Sequence, residues 1–425
     1  MSVPVISLIA LLIAILISCF TTLNIGTLSI GLALVIAYLS GVKIPAVVQG
    51  FPTSLLILLA GTTYLFSIAQ TNGTLDKLAR YAVAAVRGRP ALLPIVLFFV
   101  AFALSALGPG QITVSALLAP TVMLIADEVG INPLLMALVV GNGAQAGAMS
   151  PLAPPGIISA SILSKQGLTG VGGVLWLNML IVHVAVTILA YFLFGGLKLW
   201  RSGTLQGTGA GVGAVRTFEP QPFDRAQLTT LAGILVLAAG ALFFKLDIGF
   251  GAFFIGALLS LFKLVDESKA IKAMPWNTIL MVTGVTVLVN LMSNVGGIDL
   301  FAKLIAKMSS PGTVTLVAGF WAGLVSAYAS TTGVILPAFL PMAPPLLKQL
   351  GASSADLLPL VSSIIVCGFV VDLSPLSTTG AVFIANAGPK ANKNKLFRDM
   401  LIWGLSMSVV GAIVSWLAFT VLHLP

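Results

Sequence analysis

The sequence predicts an all-α polytopic membrane protein made of two inverted repeats, each with five spanning helices, a re-entrant hairpin and a broken helix. Three observations carry this expectation. Hydrophobic residues make up 58% of the 425 positions and charged residues 8%, with a mean hydropathy of +1.10; a soluble domain carries about a quarter charged residues. Apolar stretches long enough to cross a hydrocarbon core of ~30 Å recur along the chain, without the period-two alternation of barrel strands. One pattern also occurs twice: Ser150-Pro151-Leu152 followed by Gly156 returns 224 residues later as Ser374-Pro375-Leu376 followed by Gly380. Pro52 and Pro275, Gly61 and Gly284, and Asp76 and Asp299 lie 223 apart, while Ser105-Ala106 and Pro120 answer Ser326-Ala327 and Pro341 at 221. Near-constant offsets over more than a hundred residues argue for a duplicated unit.

The elements follow in order. Spans are expected at 3–20, 23–40 and 52–71. The first lacks a basic start and a cleavage motif, so it reads as a retained helix. Thr74–Arg89 sets Leu75, Leu78, Ala79, Ala82 and Val86 against Asp76, Lys77, Arg80 and Arg87, the mixed face of a helix lying along the interface. Apolar arms at 90–107 and 113–126 flank Gly108-Pro109-Gly110-Gln111, which makes a hairpin entering and leaving by one face. Segment 133–164 is broken at 149–156, and a span at 171–197 closes the first half. The Gly-, Pro- and Thr-rich stretch from Arg201 to Gln227 reads as a linker. The second half repeats the order: spans at 227–244, 248–264 and 277–293, then an interfacial segment at 298–308. Arms at 312–328 and 334–347 flank Ala329-Ser330-Thr331-Thr332-Gly333, before a span broken at 372–380 and a last span at 400–421. The expected units are 1–198, a cytoplasmic linker at 199–226, and 227–425.

Five crossings per half invert the second half relative to the first. Under that topology one face receives fifteen Lys and Arg residues, among them Lys77, Lys198, Lys269, Lys272, Lys390 and Lys395, and the other receives six. The positive-inside bias makes the first face cytoplasmic and places both termini outside, in a bacterial-type inner membrane. The net charge of +9 is therefore a matter of membrane orientation, and no nucleic-acid partner is expected.

Gly, Pro, Ser and Thr interrupting apolar segments at matched places are the pattern of a transporter with its site between two repeats. Non-helical backbone at membrane depth is tolerated only where protein or a water-filled cavity satisfies it. Residues 90–164 carry only Asp127 and Glu128 as charges, and 312–389 only Lys348, Asp356 and Asp372. A bound anion would then rely on helix N-termini and polar side chains, four restarting helices offering on the order of two positive charges. The substrate candidates are Gln111, Thr113, Asn142, Pro154, Ser330, Thr331, Thr332, Ser377, Thr378 and Thr379, with Gln145 beside them. The cation-coupling candidates are Gly110, Ser150, Asp372 and Ser374. Asp372 lies fifteen residues beyond Leu357, roughly 22 Å along a helix, where an acid is expensive and usually functional. Its first-half counterpart is Ala148, so its role is asymmetric.

The segments Gly50-Phe51-Pro52-Thr53-Ser54, Gly61-Thr62-Thr63-Tyr64-Leu65-Phe66, Asn72-Gly73-Thr74 and Gly141-Asn142-Gly143-Ala144-Gln145 resemble the MatC-type malonate/dicarboxylate carriers. The hairpin and broken-helix layout more distantly resembles the divalent anion–sodium symporters of the ion-transporter superfamily. The resemblance implies a homodimer whose mobile domain shuttles a di- or tricarboxylate past a fixed scaffold, together with Na⁺. Those symporters carry Ser-Asn-Thr at each hairpin tip; the matching positions here are Gly110-Gln111-Ile112 and Ser330-Thr331-Thr332.

The expected function is import of a small dicarboxylate, malonate or a C4 acid, coupled to Na⁺ or H⁺ by elevator-type alternating access. An arsenite or Na⁺/H⁺ antiporter on the same scaffold is the alternative, with a channel as a further class. No Ser/His/Asp set or repeated His or Glu motif supports an enzyme. Cys19 and Cys367 have no metal spacing, and His183 stands alone in an apolar helix. No cofactor beyond Na⁺ is expected.

Overall fold

A computed structural model describes residues 2–21, 23–84, 91–201, 222–244 and 246–424. Every regular element among them is helical. Most of the expected linker, part of the first interfacial helix (with Val86, Arg87 and Arg89) and the Cys19 side chain lie outside the described residues.

The helices are α1 Val3–Phe20, α2 Ile25–Ser40, α3 Ile44–Gln49, α4 Thr53–Thr71, α5 Thr74–Ala84, α6 Leu92–Ala106, α7 Gly110–Val129, α8 Pro133–Gly147, α9 Pro154–Lys165, α10 Gly172–Leu193 and α11 Gly196–Arg201. Then come α12 Arg225–Phe244, α13 Ile248–Leu261, α14 Glu267–Ala273, α15 Trp276–Asn294, α16 Gly297–Ala306, α17 Val314–Ser326, α18 Thr331–Leu350, α19 Leu357–Val371, α20 Thr378–Ala385 and α21 Lys393–Val421. Seven of these (α4, α7, α10, α15, α18, α19 with the turn before it, and α21) are long and apolar enough to cross a membrane, and shorter apolar helices accompany them.

The duplication read from prolines and glycines extends to helix starts. Residues 53 and 276, 74 and 297, 110 and 331, 133 and 357, and 154 and 378 open matching helices. Even the entry to α4 and α15 is shared: Pro52 (φ −81°, ψ 68°) and Pro275 (φ −75°, ψ 61°) take the same backbone conformation at the N-cap. Proline suits a helix start because its missing N–H would have no partner there.

Contacts between the halves come in matched pairs. Helix α2 packs on α15 as α4 packs on α13; α20 meets α7 as α9 meets α18; α10 meets α19 as α21 meets α8. The first pair of crossings is backbone against backbone. A Cβ built on Gly284 would lie 2.2 Å from the Gly26 carbonyl oxygen, and one on Gly61 would lie 2.1 Å from that of Gly249. Close approach through small residues is how membrane helices gain packing energy where lipid offers no hydrophobic drive. Gly26 and Gly249 are themselves 223 apart, so two glycine pairs close equivalent crossings. Gly284→Leu is therefore expected to abolish the monodisperse detergent-solubilised peak in size-exclusion chromatography. Gly31→Leu, whose new side chain meets open space, leaves that peak unchanged.

The last span starts at Lys393 instead of 400, the first break closes at Ala153 instead of 156, and three further boundaries near the site also differ from the sequence expectation. Helix α7 begins at Gly110, not near 113, because Gly110 (φ +75°) turns the chain immediately after Pro109. The second hairpin's return arm opens with a π-turn at Thr331–Ile335. The second break closes at Ser377, whose side chain accepts the Gly380 N–H and caps α20, so Thr378 and Thr379 lie on the first helical turn.

Candidate substrate and cation site

Both helix breaks have the same construction. Helix α8 ends at Gly147 and α9 restarts at Pro154; α19 ends at Val371 and α20 restarts at Thr378. In each break the restarting helix folds back against the serine carbonyl. A Cβ built on Gly156 would lie 2.1 Å from Ser150 O, and one on Gly380 would lie 2.0 Å from Ser374 O. This approach explains why the Ser-Pro-Leu motif is followed by glycine at the same distance in both halves.

The hairpin tips are built on glycine as well. Gly108 (φ +141°) faces Phe66 of α4, where a Cβ would lie 1.8 Å from the ring. Gly333, in the second tip, leaves the same 1.8 Å to the Met281 sulfur of α15. Each tip thus rests on one of the two long repeat-related helices, and the tips meet. Gln111 Nε2 donates to Thr332 Oγ1 at 2.8 Å, with both residues at most 1% exposed. Thr331 ties the second tip to α19: its hydroxyl donates to Gly368 O at 3.0 Å, and Ser326 Oγ lies 2.6 Å from that hydroxyl and 2.7 Å from the same carbonyl.

Asp372 sits at the C-terminal end of α19, 1% exposed. Its Oδ2 accepts from Thr379 Oγ1 at 3.0 Å and Gln145 Nε2 at 3.2 Å. Ser377 Oγ donates to the Asp372 main-chain oxygen, and to Ser374 O at 3.0 Å. The described ion pairs, Arg80–Asp76, Lys269–Asp266 and Arg398–Asp399, do not include this acid. Among the described residues' buried oxygens without a hydrogen-bond partner are Asp372 Oδ1 and, on α8, Gln145 Oε1 and Asn142 Oδ1. Asn142 and Gln145 stand three apart on α8 and so share a face; Asn142 Nδ2 donates back to Leu138 O at 2.8 Å. Buried acceptors without donors are costly, and an anion buried without a positive partner is costlier still.

Beside this cluster lies a cavity of about 200 Å³ lined by Ser330, Ser377 and Thr378 on one wall and by Asn24, Asn277 and Met281 on the other. Asn24 caps α2, and its Nδ2 donates to Asn277 Oδ1 at 2.6 Å and to Asn277 O at 2.8 Å.

The sequence-derived residues therefore fall into separate places. Gln111 and Thr332 touch each other; Asp372, Ser377 and Thr379 form one cluster; Ser330, Ser377 and Thr378 face the cavity. Thr331 braces the second tip on α19. Gly110 lies against Pro154, its built Cβ 3.0 Å from Pro154 Cδ. Ser150 donates to Ala106 O at 2.6 Å, joining the first break to the first hairpin, and Ser374 is buried against Gly404. Thr113 is half-buried on α7, apart from these hydrogen bonds. Sequence reasoning passed over Asn24 and Asn277, which look like ordinary helix-start residues until the halves are packed together. His183 is buried with Nδ1 2.8 Å from Met179 O. Among the described residues no group of three His, Cys, Asp or Glu side chains gathers to hold a metal.

Comparison with known proteins agrees with this architecture. Residues 1–148 match the family described as the N-terminus of the dicarboxylate carrier protein MatC, and residues 245–424 match the citrate transporter family. Two uncharacterized transporters of Mycobacterium tuberculosis (strain ATCC 25618 / H37Rv) are each 25% identical. One match covers 284 residues, 65% of this chain and 64% of the relative, and the other covers 274 residues, 62% and 61%. The chain thus matches a little under two thirds of those relatives' length. The fold is similar to that of the YdaH transporter of Alcanivorax borkumensis, with TM-score 0.57 and 16% identity over 89% of this chain and 88% of that one. It is equally similar to MtrF of Neisseria gonorrhoeae, reported among a class of antimetabolite efflux pumps, with TM-score 0.57 and 14% identity over 92% and 85%. Residues 1–148 of this multi-pass helical membrane protein thus resemble the MatC dicarboxylate carriers, and residues 245–424 resemble the citrate transporters.

Proposed function

We propose that this transporter imports a small dicarboxylate, such as malonate or a C4 acid, coupled to a cation, by moving the domain that carries the hairpins and broken helices past the α2–α15 and α4–α13 scaffold. The observation that carries this reading is the cavity at Ser330, Ser377 and Thr378, set against a buried acid with unpaired oxygens around it. The cavity wall offers hydroxyls and the start of α20 to a carboxylate, and helix starts carry free N–H groups and partial positive charge. The acid cluster offers only oxygens where partners are lacking, which suits a hard cation held by Asp372, Gln145 and Asn142; a proton on Asp372 is the other coupling ion the cluster accommodates.

Asn24 and Asn277 open α2 and α15 at the ends that the Lys and Arg distribution assigns to the cytoplasm. The cavity between them and the second tip then faces inward, as in a carrier caught at release. Both family descriptions support a carboxylate substrate.

The test is uptake of labelled malonate, succinate and citrate into proteoliposomes, with Na⁺ and proton gradients imposed separately. Saturable accumulation of a dicarboxylate driven by one gradient is expected. In Gln111→Ala and Thr379→Ala uptake at low substrate should fall about tenfold, since a buried partner left unpaired costs about 1–3 kcal/mol and 1.4 kcal/mol is tenfold. No accumulation of any of the three acids, or unchanged kinetics in both variants, counts against the reading.

A further inference from the structure

Away from the substrate cavity, three hollows join into one feature on the α6, α8 and α10 side. The first is an apolar groove of about 600 Å³ lined by Ile95, Phe98, Phe99, Ile188, Phe192 and Trp200. It shares Phe192 and Leu197 with a cleft of about 590 Å³ that holds Lys198, Gly130 and Asn132. That cleft shares Gly130 and Asn132 with a third, of about 520 Å³, lined by Lys390, Asn392, Lys395, Asp127 and Asp399. An apolar groove therefore neighbours a polar, lysine-bearing end, the hollows sharing wall residues.

The charge balance at that end favours an anion. Arg398 pairs with Asp399 at 3.3 Å, and Asp127 Oδ2 accepts the Lys390 main-chain N–H at 3.3 Å. Lys198, Lys390 and Lys395 take part in none of the described ion pairs. All three lie on the face that the Lys and Arg distribution makes cytoplasmic, where the leaflet is anionic and basic pockets between helices hold lipid headgroups. Phe192, 55% exposed, lines both groove and cleft, and Trp200, 58% exposed, lines the groove, at the level where aromatic side chains favour the membrane interface.

We infer that this composite groove binds one anionic phospholipid of the cytoplasmic leaflet, an acyl chain lying along Phe99, Ile188 and Trp200 and the headgroup meeting Lys198, Lys390 and Lys395. A free phosphate would use the lysines and leave the apolar groove without a role; a zwitterionic lipid would use the groove and gain nothing from the lysines. The adjacency of the two parts selects the anionic lipid.

Trp200 makes the site readable without any transport assay. The full-length protein is placed in phosphatidylcholine vesicles containing dibrominated phosphatidylglycerol or dibrominated phosphatidylcholine, and tryptophan quenching is followed against brominated lipid fraction. The expected result is a component that Trp200→Phe removes and that brominated phosphatidylglycerol quenches at about tenfold lower fraction than brominated phosphatidylcholine. The triple variant Lys198→Gln, Lys390→Gln, Lys395→Gln should lose that preference while keeping the wild-type size-exclusion profile. Equal quenching by both lipids in the wild type overturns the inference, as does a preference surviving the triple substitution. Relief of phosphatidylglycerol quenching by millimolar inorganic phosphate assigns the lysines to a free anion instead and overturns it too.

Discussion

Asp372→Asn is expected to raise the cation concentration needed for half-maximal uptake about 10–100-fold, or to flatten the pH dependence if the coupling ion is a proton. The magnitude follows from the charged hydrogen bonds at stake, about 1.5–3 kcal/mol each, with 1.4 kcal/mol per tenfold. Asparagine keeps the shape of the side chain and can still accept from Gln145 or Thr379, which now hold the carboxylate at 3.2 and 3.0 Å, so the break itself should survive. What it loses is the negative charge on which the proposed cation site depends. The readout is uptake against external Na⁺ at fixed pH and against pH at fixed Na⁺. Wild-type dependence on both would remove Asp372 from coupling and leave it a structural acid.

Gly380→Ala is expected to have the next largest effect, through geometry. The added carbon would lie 2.0 Å from Ser374 O and 2.5 Å from Ser374 C, and backbone atoms have nowhere to yield. Helix α20 must then pull away from the break. That movement separates Thr379 from Asp372 and shifts Ser377 and Thr378 at the cavity wall. Overpacking of a well-packed site costs typically about 1–3 kcal/mol, so labelled-dicarboxylate uptake should fall about five- to a hundredfold even if enough protein reaches the membrane to assay. Gly156→Ala imposes the same clash on Ser150 O in the first half, 2.1 Å away, but leaves the Asp372 cluster in place. It should impair uptake with unchanged cation dependence. If Gly380→Ala transports normally, the tight closure of the break is not what positions the site.

These two residues also mark how far the sequence could be read. Gly380 was visible because its environment is dictated locally: a serine carbonyl six residues upstream needs a side chain without Cβ, and the motif repeats at Gly156. Asp372 was visible because an acid fifteen residues along an apolar run has few innocent explanations. Its partner was less visible. Gln145 sits in the other half, and nothing in the spacing says that α8 and the second break come within 3.2 Å. The scaffold shows the same division. Gly61 and Gly284 stood out as a repeated pair, whereas their targets Gly249 and Gly26 became recognisable only once α4 crossed α13 and α2 crossed α15. Helix ends were misjudged where a side chain, not a residue class, sets the boundary. Ser377 capping Gly380 shortens the break, and Gly110 at φ +75° starts α7 early. Asn24 and Asn277 carried no signal, since a helix-opening asparagine is explained by capping alone.

The central claim is that the cavity beside the second tip and the second break is where substrate sits, open to the cytoplasm. Thr378 is exposed on its wall. The direct test is Thr378→Cys in a Cys19→Ser, Cys367→Ala background, labelled with a membrane-impermeant maleimide in inside-out and right-side-out vesicles. Labelling in inside-out vesicles, slowed severalfold by saturating malonate and the coupling cation, is the predicted result. Labelling that malonate leaves untouched, or that occurs only from the outer face, would contradict it.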